Sequence, residues 1–181
     1  QLGHTAQVVS PNEYPDFLAW MPSAEKVLVY ESSQKESTAA LKNAEIIFTL
    51  DFNAFHRTGV MGNLLQELSV PFVMIDHHEK PDDYATVTYS DIHISSTCEM
   101  VYLFAQALGW NGFINQTVGT CLYTGMMTDT GSFKYASTTA STHRIVAELK
   151  DLGVETAGIH HLLFDNNSPN RLQILGQALQ N

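Results

Sequence analysis

Short apolar runs alternate along this chain with longer stretches of helical period. The runs lie at Thr5–Ser10, Lys26–Tyr30, Glu45–Leu50, Pro71–Ile75 and Tyr84–Ser90 and are rich in Val and Ile. Two of them, IIFTL at 46–50 and FVMI at 72–75, are unbroken apolar stretches rather than alternations. That is the pattern of parallel strands buried on both faces. Residues Thr58–Leu68 carry the spacing of a helix and would join the third strand to the fourth as a crossover. Beyond residue 95 the pattern turns helical. Ser96 and Glu99 are spaced as a capping box, opening a helix that runs to about Leu108 and stops at Gly109. Further helices are expected over Asn115–Met127, over Thr139–Leu152 with Gly153 closing it, and over Glu155–Phe164. A last one should start at Asn170, where Ser168 and Pro169 supply the cap and the first position. The expected fold is α/β, with a mostly parallel sheet of about five strands covered by helices.

Composition narrows the class. With 181 residues, 44% hydrophobic and 15% charged, the chain has the size and character of one folded domain and not of a disordered segment. No apolar run approaches the roughly 18 residues needed to cross a bilayer. The start, QLGHTAQVVSP, lacks the basic and apolar regions of a secretory signal, and a cytoplasmic location is expected. Cys98 and Cys121 are isolated in apolar surroundings, as reduced core cysteines are. Nine basic against nineteen acidic residues leave a net charge of −10, which excludes a long basic groove for nucleic acid. No Lys or Arg occurs between Lys80 and Lys134. Such a deficit fits a solvated acidic face. It equally fits a site whose positive charge comes from metal ions.

Three segments carry candidate chemistry. In IIFTLDFNAFHRTG, an apolar strand runs directly into Asp51, and ligands of open α/β sheets bind at the carboxyl ends of strands. An Asx turn or a cap would explain Asp51 as well. In FVMIDHHEKP, a second strand runs into Asp76-His77-His78. Carboxylate and imidazole together suit Mn, Fe, Co or Zn better than Ca. In MMTDTGSFKY, a helix ends at Asp129, and the hydroxyls and glycine backbone of Thr130, Gly131 and Ser132 can meet an anion. A turn after a helix would look the same. Together the three suggest a ligand set of Asp51, His77 and Asp129 with His78 adjacent, able to hold divalent ions against a phosphate.

Weaker candidates are His56 and Arg57, close enough in sequence to Asp51 to touch a substrate, and Lys134, Arg144 and Arg171 as scarce cations. His160 and His161 diverge by about 100° on a helix and cannot share one metal face. Phe17, Leu18 and Trp20 read as core. No dinucleotide fingerprint, phosphate-binding P-loop, serine-hydrolase elbow or paired zinc CxxC is present.

Asp51 after its strand, Asp76-His77-His78, and Thr128-Asp129-Thr130-Gly131-Ser132-Phe133, in that order, resemble the DHH family of phosphoesterases. Ser96-Thr97 before Glu99, and Arg171 with Leu175-Gly176, resemble its branch of bacterial oligoribonucleases that also dephosphorylate 3′-phosphoadenosine 5′-phosphate. The resemblance implies two Mn²⁺ ions, with Mg²⁺ or Co²⁺ as substitutes. Asp51 would bridge them, and His77 and Asp129 would complete one. His78 would meet the scissile phosphate or its leaving oxygen, and Asp76 would orient the histidines. The implied substrates are short RNA oligonucleotides or small nucleotides.

The chain departs from the family pattern. The family's first motif, a strand followed by a His and two Asp, matches no segment and is expected upstream of Gln1. Its smaller substrate-binding domain is expected beyond Asn181. Leu2-Gly3 reads as the tail of a helix, and Gln180-Asn181 ends without a cap. The expectation is an incomplete DHH catalytic domain over residues 1–181 that binds Mn²⁺ weakly, turns over little alone and self-associates through exposed strand edges, as a homodimer for instance. Rivals on the same scaffold are a manganese pyrophosphatase and a cyclic dinucleotide phosphodiesterase. A non-catalytic nucleotide-binding module is the rival from another class.

Overall fold

The computed structural model describes residues 3–164 and 169–179. Leu2, Ser168, Gln180 and Asn181, and the side chains of Arg171 and Leu175, to which some sequence expectations were attached, lie outside the described residues. Among the described residues five strands form: β1 (Val9–Ser10), β2 (Leu28–Val29), β3 (Ile47–Leu50), β4 (Phe72–Asp76) and β5 (Val87–Ser90). Each occupies part of an expected run, and every pairing is parallel. The strands make two ladders rather than one, β1-β2 and β3-β4-β5. A ladder continues only where one strand's backbone groups meet another's, and no described strand bridges the two. They nonetheless share a core, in which Val9 and Tyr30 pack with Ile47, Phe55, Leu65 and Phe72.

The helices are α1 (Gln34–Lys42), α2 (Met61–Glu67), α3 (Thr97–Ala107), α4 (Gln116–Asp129), α5 (Ala140–Asp151), α6 (Thr156–Phe164) and α7 (Pro169–Ala178). The capping box expected at Ser96 forms in its hydroxyl half, the Glu99 side chain turning instead to Ser95 and Thr142, and Asn115 and Thr139 cap the next two helices. Ser96 Oγ accepts from Glu99 N at 3.1 Å, Asn115 Oδ1 accepts from Val118 N at 3.0 Å, and Thr139 forms a reciprocal box with Thr142. Gly109 and Gly153 take the left-handed φ of 72° and 86° that ends a helix. The expected helix over Thr58–Leu68 starts later, at Met61, because Phe55–Thr58 coils into a 3-10 turn and Gly59 interrupts it at φ 58°.

A larger core lies among the helices, where Met126, Met127, Leu149, Leu122 and Tyr123 pack with Ile145 and Ile159. Each fully buried side chain of this size stabilises by about 1.5–3 kcal/mol relative to exposure. Trp20 packs against this core, whereas Phe17 is exposed. Strand β4 is buried at all five positions, the four of its unbroken apolar run and Asp76 after them. Strand β3 is not. Phe48 and Leu50 are each 45% exposed, contrary to the expectation of cover on both faces. Helix α3 explains this: Met100 packs over Val73 and Ile75 of β4, and α3 reaches β3 through a Phe104–Phe48 edge contact at 6.3 Å. None of the described helices is long and apolar enough to cross a membrane.

Candidate metal centre

Strands β3 and β4 run side by side in parallel, pairing Leu50 with Ile75, so both release their chains at the same edge. The residue after β3 is Asp51, and β4 ends in Asp76 followed by His77 and His78. Asp51 N still donates to Ile75 O at 3.2 Å, and there the backbone turns into the left-handed region at φ 66°. Asp tolerates that region better than most residues. The turn brings the Asp51 carboxylate beside His77, with Oδ1 3.6 Å from Nε2. Ligand atoms of Asp51, His77 and His78 all lie within 4.8 Å of one another.

The hydrogen bonds leave one imidazole nitrogen free on each histidine. His77 Nδ1 lies 3.2 Å from Ile94 O, a carbonyl that can only accept, so in the neutral ring Nδ1 carries the proton and Nε2 the lone pair. His78 Nδ1 sits 3.1 and 3.2 Å from the two oxygens of Asp76, and His78 N donates to Asp76 Oδ1. The Asp76 carboxylate is fully buried and spends its acceptors on this one residue. Ligating histidines show this arrangement, one nitrogen turned to carboxylate or carbonyl and the other to the ion. The separation between Asp51 and His77 approaches the roughly 3–3.5 Å expected of two ligands on an ion with 2.0–2.2 Å bonds. The donor set therefore fits a divalent ion of the first transition row.

Asp129 ends α4 and stands apart from the three-residue cluster, yet it shares the cluster's field. Although the residue is exposed at the surface, its carboxyl is crowded by protein. That desolvation, and after it the negative charge of Asp51, push its pKa up, while His77 and His78 pull it down. A cation between these groups would relieve the repulsion. The turn after Asp129 is tight. Gly131, Ser132 and Phe133 all have left-handed φ near 60°, and Thr130 Oγ1 accepts from Phe133 N at 2.9 Å. Ser132 is half-buried in this turn, and Arg57 is exposed on the 3-10 turn after Asp51. Of these sequence candidates, the structure brings Asp51, Asp76, His77 and His78 together and sets Asp129 within their field. No ion pair draws Arg57 to Asp51 or Asp76.

Two further residues complete the local architecture. Asn53 is buried and its Nδ2 donates to His78 O at 3.2 Å and Glu79 O at 2.9 Å, binding the Asp51 loop to the His77-His78 loop. Its signal in the sequence is slight, one amide between two aromatics in DFNAF. Thr97 Oγ1 donates to Asp51 Oδ1 at 2.7 Å. Cys98 beside it is a free thiol, pushed up to about 12 chiefly by burial.

A parallel sheet with acidic and imidazole groups gathered where two adjacent strands end defines a class of α/β proteins with a candidate metal site. The sequence pattern of the DHH family, N-terminal domain, matches residues 3–126, and the chain belongs to that family. Among solved structures it is similar to an exopolyphosphatase-related protein from Bacteroides fragilis, with TM-score 0.94 and 36% identity over 97% of this chain and 52% of that one. Among curated proteins it is similar to the bifunctional oligoribonuclease and PAP phosphatase NrnA of Thermus thermophilus, 31% identical over 109 residues, 59% of this chain and 32% of that protein. The protein of the same name from Bacillus subtilis is 29% identical over 110 residues, 59% of this chain and 34% of that protein. The chain thus spans about half the length of the solved relative and its matches cover about a third of the curated ones.

Proposed function

We propose that this chain is catalytic-domain sequence of a metal-dependent phosphoesterase that cleaves short oligoribonucleotides and 3′-phosphoadenosine 5′-phosphate. The observation that carries the reading is the convergence of Asp51, His77 and His78 at one strand edge, each imidazole with one nitrogen free. The names of the Thermus thermophilus and Bacillus subtilis relatives supply the substrate class. Asp51, His77 and Asp129 hold divalent ions, Mn²⁺ first, with Mg²⁺ or Co²⁺ as substitutes. A bound ion supplies positive charge for phosphoryl oxygens and activates water for attack. Asp76, fixed against His78 Nδ1, sets the orientation of that ring. His78 Nε2 is then placed to meet a phosphoryl oxygen or give a proton to the leaving oxygen. Ser132 and Arg57 are the candidate substrate contacts, with Arg57 swinging in from its exposed turn. The net charge of −10 agrees with small substrates, which need no extended basic surface. A cytoplasmic protein that associates with its own copies belongs to this proposal.

A second reading, hydrolysis of phosphoanhydrides such as pyrophosphate, has one observation in its favour, the likeness to an exopolyphosphatase-related protein. The test is an assay of a protein carrying this chain at the length of its relatives, against a diribonucleotide, 3′-phosphoadenosine 5′-phosphate, pyrophosphate and cyclic di-AMP with Mn²⁺. Turnover of the first two, lost in Asp51→Asn, is expected. The isolated chain should show little. Preference for pyrophosphate or cyclic di-AMP overturns the substrate assignment, and no turnover of any of the four overturns the enzyme.

A further inference from the structure

The Asp51 carboxylate needs a support that its own strand does not give. Its side chain is about half exposed, at 52%, on backbone that has left the ladder. A free carboxylate there would rotate, and metal sites lose affinity when ligands are not held. The support comes from 46 residues further on, where the buried Thr97 hydroxyl donates to Asp51 Oδ1 at 2.7 Å. Thr97 is the first residue of α3, just after the Ser96 cap, so its backbone is fixed by the helix start. Three residues earlier, Ile94 O faces His77 Nδ1 at 3.2 Å. The four-residue stretch 94–97 therefore grips one side chain from β3's end and one from β4's end at once.

That stretch is itself anchored. Glu99 is buried, and its Oε2 accepts from Ser95 Oγ at 2.7 Å and from Thr142 Oγ1 at 2.9 Å. Its backbone N–H donates to Ser96 Oγ at 3.1 Å. Thr142 is held in turn by the box it forms with Thr139 at the start of α5. A buried carboxylate persists only when its acceptors are used. Here they tie the stretch to a second helix, and neither Glu99 nor Thr142 has any part in the chemistry proposed above.

We infer that Thr97 is a positioning residue of the metal centre. It takes one lone pair of Asp51 Oδ1 and holds the carboxylate toward His77 Nε2, with the remaining lone pairs open to a cation. The Ser95–Glu99–Thr142 network keeps the Thr97 hydroxyl in place. This rests on the metal-centre reading, and the test separates the two. Mn²⁺ as MnCl₂ is titrated into the purified chain, followed by calorimetry and by the electron paramagnetic resonance of free Mn²⁺, for wild type, Asp51→Asn, Thr97→Val and Thr97→Ser. Thermal unfolding of each variant accompanies the titration. Thr97→Val keeps shape without the hydroxyl and should weaken Mn²⁺ binding about 10–100-fold. Thr97→Ser restores the hydroxyl and should restore the affinity, which a purely structural role in packing the helix start would not require. If Thr97→Val does not fold, Thr97→Ala replaces it in the same comparison. Wild-type affinity in the hydroxyl-free variant, with binding lost in Asp51→Asn, overturns the inference and leaves the metal centre standing. Wild type that binds no Mn²⁺, or Asp51→Asn that binds as wild type, overturns the metal centre and the inference with it.

Discussion

Gly125 sits inside α4, four residues before Asp129, where that helix crosses the start of α3. A Cβ placed there would lie 2.1 Å from Cys98 Sγ and 3.0 Å from Cys98 Cβ. Ordinary contact begins near 3.5 Å, so Gly125→Ala must turn the Cys98 thiol away and move its Cβ, and the helix start that carries it, by a few tenths of an ångström. Alanine favours the helix by about 1 kcal/mol over glycine, and overpacking a tight contact costs about 1–3 kcal/mol or more. The net expectation is a loss of up to about 2 kcal/mol, or several degrees in melting temperature for a chain of this size. Gly158 in α6 is the internal control. No atom lies within 4 Å of a Cβ built there, so Gly158→Ala should stabilise by about 0.5–1 kcal/mol. Urea unfolding followed by circular dichroism measures both. Cys98→Ala in the Gly125→Ala background should recover part of the loss, because the nearer of the two clashing atoms is gone. The clash also falls between the helix that starts with Thr97 and the helix that ends with Asp129, so Mn²⁺ affinity should fall with stability. A Gly125→Ala protein as stable as wild type would refute the close crossing as the device that sets the distance between them.

Burial holds the Cys98 thiol up at about 12, so the folded protein should resist dithionitrobenzoate at pH 8 at this position while the unfolded protein reacts; mass spectrometry of the labelled peptide locates any reaction. Asp129 has a raised pKa in the fold, so the folded protein favours its neutral form, and the destabilisation appears as pH rises through that value and vanishes below the ordinary 3.8. In chelator, Asp129→Asn should therefore be more stable than wild type at pH 7 and equal to it at low pH, while losing Mn²⁺ affinity; a less stable variant at pH 7 would reverse the sign of this argument. Asn53→Ala leaves His78 O and Glu79 O without their donor and should cost about 1–3 kcal/mol in chemical denaturation, together with a weaker metal centre.

The parts of this molecule that were legible in its sequence are those written locally. Strand β4 is dry on both faces, so its first four positions read as one apolar run, and the switch from Ile75 to Asp76-His77-His78 marks where the strand, with Asp76 still buried, gives way to its loop. The helix starts at Ser96, Asn115 and Thr139 are likewise set by hydrogen bonds to neighbours three residues away. Helix α1 left no such mark, since Ser37 and Leu41 are its buried positions and one apolar side chain makes no stripe. Phe48 and Leu50 misled for the opposite reason. An apolar residue states that it can be buried, and whether a helix reaches it depends on where α3 crosses the sheet. Asn53 and Thr97 act across 25 to 46 residues, and no local pattern announces a partner that far away. The Ser96-Thr97…Glu99 segment was visible as a family-like string, but its work, gripping Asp51 and His77, appears only when β3, β4 and α3 are assembled.

The most direct measurement is a manganese anomalous difference map from crystals of this chain soaked in MnCl₂. The expected result is a peak bonded to Asp51 and to Nε2 of His77, with Asp129 turned toward it and Thr97 still on Asp51 Oδ1. A map with no peak at this strand edge, or with manganese held elsewhere, contradicts it.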